Sequence, residues 1–429
     1  MRSSLTACYL LTRHQEMMNA LANGSWLTAE RMRAAAVISG AVTILLLLFL
    51  FLTASGTVDA YGRPLGTDFS NVWTAGSMAR EGAAASAWDW PSHLAVQQQV
   101  HGRSDIPFYG WHYPPPFLLL AAALAFLPYK ISLIAWQATT LATAASILWR
   151  ILPSRRALLL GLTAPVVFVC LGHGHNGFLT ASLLGGGLLL LERRPILAGL
   201  LLGCLVYKPQ FALFIPPLLL ACRNWRAIAG AAASAGCLIA LTFAFWGWPV
   251  WQAFLDSLPL TRTVIIEQGA TGWEKIQSPF AMIRMWHGSV AAAYAVQAGF
   301  AFASVLLTLL ASRGRDPSAR NAAATATAML STPYVLDYDF VVLGLGAAFL
   351  VADGMKRGFL SWEKSLLALV WFAPLVARQL AEITLLPLGQ LSAVIVLALA
   401  VRRSILLDEV LPAAFRSWPF RRSRERFGQ

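Results

Sequence analysis

Residues 34–54 read AAAVISGAVTILLLLFLFLTA, without one charged side chain. As an α-helix this run is roughly 32 Å long, enough to cross a hydrocarbon core of about 30 Å. Further apolar runs follow to residue 401, separated by short basic segments. Backbone in lipid must satisfy its own hydrogen bonds, which leaves helical bundles and closed barrels. The runs are continuous rather than alternating, which speaks against a β-barrel. The expected fold is all-α, a polytopic transmembrane helical bundle. Composition agrees: 57% of residues are hydrophobic and 12% charged, outside the range of ordinary soluble domains. A net charge of +13 would suggest nucleic acid for a soluble protein. Here the basic residues cluster between spans, as the positive-inside rule requires, and no nucleic-acid partner is expected. Cys8, Cys170, Cys204, Cys222 and Cys237 are scattered and show neither zinc nor disulfide spacing.

The charge pattern also sets an expected topology. Residues 1–33 form a cytoplasmic N-terminal segment ending in Arg31 and Arg33, followed by an uncleaved anchor. Residues 34–403 form the membrane domain, and 404–429 a basic cytoplasmic tail containing FRRSRERF, suited to anionic lipid. About twelve crossings are expected, including short re-entrant or half-length helices, with both ends cytoplasmic. Two long outer loops, 55–113 and 246–288, carry amphipathic helices. In the first these are expected at 71–80 and 92–100, with Trp73, Trp88, Trp90 and Trp111 as interfacial anchors. The run 114–127 either dips in and returns or merges with the next helix. RQLAE, at 378–382, is read as an outer turn.

Residues 171–210 carry the densest polar signal. GHGHN stands at one end and YKPQ at the other, with Glu192-Arg193-Arg194 between two short apolar runs. A 12-residue helix covers roughly 18 Å, short of the ~30 Å core, so both polar ends are recessed on one side. That arrangement implies a water- or substrate-filled cavity holding His173, His175, Asn176, Lys208 and Gln210. Asp68 in the first outer loop is either a general base for an acceptor hydroxyl or an N-cap. His173 and His175 form a His-x-His with no third ligand at metal spacing, so hydrogen bonding is the expected use. Lys208 faces either a phosphate or a carboxylate at Asp337 or Asp339. Asp337-Tyr338-Asp339 has the D-x-D form of some metal sites, or caps the helix that starts at residue 340. The second loop carries Arg262, Glu267, Lys275, Arg284 and His287; its cations either meet a phosphate or lipid headgroup or are solvated loop charges.

Several segments together resemble one family. They are TDFSNVWTAGSMAREG, WHYPPPFLLL, the whole of 171–210, LPLTRTVIIEQGATGWEKIQSPFAMIR and TPYVLDYDFVVL. In this order, over about residues 34–400, they look like glycosyltransferase family 87, bacterial membrane enzymes of GT-C type fold. The resemblance implies transfer of a sugar from a polyprenyl-phosphate donor to an acceptor hydroxyl on the outer face of the inner membrane, with inversion. A mannose-like hexose is the first expectation; arabinose, glucose or galactose fit as well. The acceptor is a glycolipid, polysaccharide or protein. The family's acidic base in the first outer loop falls on Asp68. Substrate contacts are expected from His112, Tyr113, His173, His175, Asn176, Lys208, Gln210, Arg262, Arg284, Tyr338 and Asp339. Lys208, with Arg262 or Arg284, would stabilise the leaving phosphate, so no metal or other cofactor is expected. The family pattern at GHGHN usually has Gln where this chain has His175. The competing expectations are a lipid-linked sugar transporter or flippase and a non-catalytic subunit of envelope polysaccharide assembly.

Overall fold

The computed structural model describes residues 2–408. The expected basic tail lies, from residue 409 onward, outside the described residues. Among these, regular structure is helical apart from three isolated bridges.

The N-terminal segment folds as α1 (Arg2–Asn23) and the first turn of α2 (Ala29–Leu52). The Thr28 side chain starts α2 by accepting the Arg31 N–H, as an N-cap should. The first long connection holds α3 (Thr67–Arg80) and α4 (Trp90–His101), each starting slightly earlier than expected. Next comes α5 (Pro115–Leu124), only 10 residues long, and Pro128 separates it from α6 (Tyr129–Ile151). The 114–127 run therefore does not merge with the helix after it. Instead α5 packs along α3, so closely that a Cβ on Gly76 would stand 2.0 Å from the Ala121 carbonyl oxygen. No side chain larger than hydrogen fits there.

Helix α7 (Arg155–Leu162) meets α8 (Pro165–His173) at a 48° bend. Three short helices follow: α9 (Gly177–Leu190), α10 (Pro195–Gly203) and α11 (Ile215–Ala221). Two 3₁₀ turns, Cys204–Tyr207 and Pro209–Phe211, join the last two and present Lys208 between them. Helix α12 (Trp225–Thr261) corrects the reading of 246–288 as a loop. Gly247, at φ +67°, breaks the helix where the loop was expected to begin, and the chain resumes helical structure at once. A π turn, Arg262–Glu267, extends it further. Beyond lie α13 (Pro279–Met285), α14 (Val290–Ala311) and α15 (Pro317–Leu330). After the 3₁₀ turn Asp337–Phe340 come α16 (Val341–Arg357), α17 (Glu363–Phe372), α18 (Ala377–Thr384) and α19 (Leu388–Leu407). Here α18 replaces the turn expected at RQLAE. Its apolar stripe and polar Arg378, Gln379 and Glu382 suit a helix at an interface. It stands at 81° to the segment before it.

Six helices are long and apolar enough to cross a membrane, or eight if each bent pair is one span. The expectation of about twelve crossings also counts α9, α10, α11 and α15, each shorter than a full span. Helix α15 sits at the centre of the bundle, with every residue from Ser318 to Leu330 buried. It packs against α14, α16 and α19.

At the C-terminal end of α16 an ionic network holds three helices. Arg403 bonds Asp353 and Glu363, each at 2.5 Å, while Arg357 bonds Asp353 and Asp408, each at 2.6 Å. Nearby in the chain order, buried Arg320 of α15 reaches Glu192.

Candidate active site

The polar residues at the other end of α16 come from five separate segments. Helix α3 brings Asp68 in its first turn. Its N-cap is Gly66 in the left-handed conformation, with no side-chain cap, so Asp68 is not the cap. Neighbouring Thr67 Oγ1 lies 2.7 Å from His173 Nδ1, which ties the start of α3 to the end of α8. The chain turns there through Gly174 at φ +62°, where a Cβ would come within 2.7 Å of the Phe69 side chain. Helix α6 fixes the same turn from behind. Trp136 Nε1 donates to the Gly174 carbonyl at 3.2 Å, and Gln137 Nε2 to that of His175 at 3.2 Å.

The rings then form a continuous set. The Tyr113 hydroxyl lies 3.2 Å from His175 Nε2. His175 stacks on Tyr338 at 3.5 Å between centroids, and His173 meets the same ring edge-on at 5.4 Å. The Asp68 carboxylate sits beside Tyr338 and His173. Its Oδ2 is enclosed and has no hydrogen-bond partner, as are His175 Nδ1 and Asn176 Nδ2. Such atoms occur elsewhere in the fold, on Glu363 and Asp408 among others; here three of them lie on neighbouring segments, where a ligand can engage them together. Helix α3 lies outside the candidate spans. Burial raises the Asp68 carboxyl above the usual carboxylate value; His173, Tyr338 and Lys275 pull it down and Asp337 pushes it up further. A carboxyl so raised is a stronger proton acceptor once ionised.

Beneath the rings Lys208 Nζ donates to Asp339 Oδ1 at 2.6 Å and to Asn176 Oδ1 at 3.3 Å, with Lys208 only 3% exposed. Of the two expectations for Lys208, the ion pair is the one formed. Asp339 Oδ2 also accepts the Leu336 N–H, so it helps start the 3₁₀ turn that leads into α16. Asp337 is bonded by Arg378 of α18. Each carboxylate of the D-x-D thus already holds a cation from another segment, Lys208 from between the 3₁₀ turns and Arg378 from α18. Among the described residues no group of three or more His, Cys, Asp or Glu is placed to hold a metal ion.

Eight of the residues singled out in the sequence come together here: Asp68, Tyr113, His173, His175, Asn176, Lys208, Tyr338 and Asp339. Four do not. His112 Nδ1 lies 3.1 Å from Thr261 Oγ1 and the ring packs on Trp90; burial lowers it to about 4, so it is neutral at physiological pH. Gln210 is half-buried in its 3₁₀ turn, with no bond to the ring set. Arg262 is 64% exposed beside Glu267. Arg284 donates to the Gly288 and Glu267 carbonyls and lies over the Trp273 ring, a local staple. The loop cation within electrostatic reach of Asp68, His173 and Asp337 is Lys275, which forms no ion pair among the described residues. Its place follows from backbone pairing. Gln277 N donates to the Val335 carbonyl at 2.8 Å, and Ser278 Oγ to that of Pro333 at 2.8 Å. The SPF and PYVLDYD motifs were visible in the sequence; their contact was not.

These elements define a multi-pass membrane protein with an enclosed polar site at one end of its helices. The chain belongs to glycosyltransferase family 87, whose family model matches residues 111–336, just over half of it. The matched stretch includes Tyr113, the GHGHN turn, Lys208 and Lys275, and stops just short of Asp337. No curated protein and no solved structure matches the chain.

Proposed function

We propose that this family 87 protein, of GT-C type, moves a sugar from a polyprenyl-phosphate donor to an acceptor hydroxyl, with Asp68 as general base. One observation carries the reading: an enclosed carboxylate oxygen without a partner, beside a tyrosine and a histidine, in a chain whose other buried acids near the site are paired with cations. Asp68 takes the proton of the acceptor hydroxyl as that oxygen attacks the anomeric carbon. The bond from that carbon to the phosphate oxygen breaks, and polyprenyl phosphate leaves with the electron pair from the opposite face, inverting the centre. Lys275 offsets the negative charge growing on the phosphate, the role first expected of Lys208 with Arg262 or Arg284. Lys208 instead holds Asp339 and Asn176, and so positions Tyr338 against Asp68. The charge is met by side chains, with no metal. A mannose-like hexose remains the first candidate, and a glycolipid or polysaccharide the acceptor. The positive-inside pattern supports a site on the outer face of a bacterial cytoplasmic membrane.

The test is transfer in lipid nanodiscs with a panel of radiolabelled polyprenyl-phosphate sugars and a membrane-extract acceptor, wild type beside Asp68→Asn. Release of polyprenyl phosphate from one donor, lost in the folded variant, is expected. Turnover that survives in the variant removes Asp68 as base. Silence with every donor favours transport or an assembly role.

A further inference from the structure

A cavity of about 390 Å³ opens between the N-terminal turns of α2 and α7. It exists because the two helices touch further along and part here. Where they touch, Ser39 Oγ donates to the Thr163 carbonyl at 2.5 Å, and a Cβ on Gly40 would stand 2.8 Å from the Thr163 side chain. The lining of α2 ends at Ala36 and that of α7 at Leu160, each about one turn before that contact.

The lining is graded along both helices. Nearest their starts it is charged, with Glu30 and Arg33 on α2 and Arg155 and Arg156 on α7. Ala29 and Met32 stand among these charges. One turn further in, the lining is apolar: Ala36 on α2, Leu159 and Leu160 on α7. None of the three arginines makes a side-chain hydrogen bond or ion pair among the described residues, whereas Arg31 on the same turn of α2 donates to the Trp26 carbonyl at 3.0 Å. Glu30 pairs with none of them. Three guanidiniums facing one carboxylate leave the mouth of the cavity with an excess of positive charge.

That order narrows the occupant. Guanidinium groups match a phosphate in shape and charge. A free phosphate ion would leave the apolar turn behind them unused. An amphiphile with an anionic head and a hydrocarbon body fills both halves. Past the cavity both helices carry exposed apolar side chains, Val37 and Ile38 on α2 and Leu162 on α7, along which such a body continues.

We propose that this cavity holds the headgroup of an anionic glycerophospholipid, its phosphate on Arg33, Arg155 and Arg156 and its first acyl carbons against Ala36, Leu159 and Leu160. The positive-inside pattern supports the cytoplasmic leaflet as its source. Helix α2 is thinly attached, with only 11% of its apolar stretch buried against the rest of the protein. It leads into α3 and Asp68, while α7 leads into α8 and His173. A lipid wedged between α2 and α7 therefore steadies the two helices that carry these residues, and its role is to position them.

The experiment uses the whole protein in phosphatidylcholine nanodiscs with rising fractions of phosphatidylglycerol, part of it bearing a diazirine on its headgroup. Labelled peptides are expected from α2 or α7, and the melting temperature should rise with the phosphatidylglycerol fraction. Arg155→Gln with Arg156→Gln should weaken labelling at limiting lipid at least about tenfold, the effect of removing two cations from an anionic headgroup. Arg193→Gln with Arg194→Gln removes the same charge from another basic segment and should leave labelling unchanged. All four arginines are exposed, so the fold is expected to persist in both variants. Equal loss in the two variants would reduce the effect to general attraction of a basic surface and overturn the proposal. So would labelling that survives removal of Arg33, Arg155 and Arg156 together. Competition on the wild-type protein separates the sources of phosphate. Displacement by inorganic phosphate alone would make this a simple anion site, and preferential displacement by undecaprenyl phosphate a carrier site; either result overturns the proposal. Glu30→Gln should hold or strengthen labelling. A fall, with phosphatidylethanolamine labelling in place of phosphatidylglycerol, would mean a zwitterionic head held through its amine and would also overturn it.

Discussion

The two ends of α16 handle buried charge in opposite ways. At the C-terminal end two arginines and three acids, Asp353, Glu363 and Asp408, form a network in which every acid is bonded by an arginine. At the N-terminal end Asp337 and Asp339 are paired as well, but Asp68 is bonded by no cation among the described residues; single enclosed oxygens without a partner occur at both ends, on Asp68 and on Glu363 and Asp408. Both ends are costly to bury. The first recovers that cost inside the protein and fixes how α16, α17 and α19 pack. The second leaves part of it open, which is the arrangement a site needs if its missing partner is a substrate. Buried charge alone does not mark function in a membrane bundle; what singles out Asp68 is an enclosed carboxylate that no cation bonds.

Four substitutions break or sharpen this contrast. Asp68→Asn should lower turnover by about 10²–10⁴-fold, the range for a lost general base, while leaving the fold intact. The sign on stability is the reverse of the usual one. Because burial raises the Asp68 carboxyl in the folded protein, its contribution to stability is lost as pH rises through that value. Thermal unfolding near neutral pH should therefore show the amide variant as stable as wild type or more so. For the same reason the acid limb of the wild-type rate profile should sit above that of a solvated aspartate.

Arg403→Met should do the opposite, since it leaves Asp353 and Glu363 short of a cation. Breaking a buried pair costs about 3–5 kcal/mol, visible as a lower unfolding temperature with unchanged activity per folded molecule. Lys275→Gln should cost about 10²-fold in turnover, comparable to the loss of one charge-stabilising donor, with little change in melting. Equal melting loss and no kinetic loss would move Lys275 to the structural side. Arg262→Ala should change neither by more than about twofold, as an exposed pair is worth roughly 0.2–1 kcal/mol.

Local chemistry was legible in the sequence and long-range pairing was not. Runs of apolar residues between basic clusters gave the helices within a few residues, because lipid enforces backbone pairing inside each segment. Asp68 and the GHGHN turn were visible as polar groups at span ends. That Lys208 would meet Asp339 rather than a phosphate depends on a contact across 131 residues. Lys275 could not be told from Arg262 and Arg284 until residues 276–278 were seen bonded along Pro333–Leu336. The run after Gly247 looked like a loop because a glycine and a proline interrupt the apolar pattern; the helix bends there and continues. RQLAE looked like a turn because three of its five residues are polar; in the helix Gln379 and Glu382 are exposed while Arg378 turns in to Asp337.

The enclosure of α15 has a bearing on how the chain is made. With Arg320 and Asn321 in its first turns and alanine and threonine through its length, α15 has little of its own to hold it in lipid. Its neighbours α16 and α19 are synthesised after it, and α19 begins only at Leu388. The burial of α15 is therefore completed only when the last helix packs on it. A chain cut before α19 would leave that side of α15 uncovered, although every residue of the GHGHN turn and Asp68 had already been made.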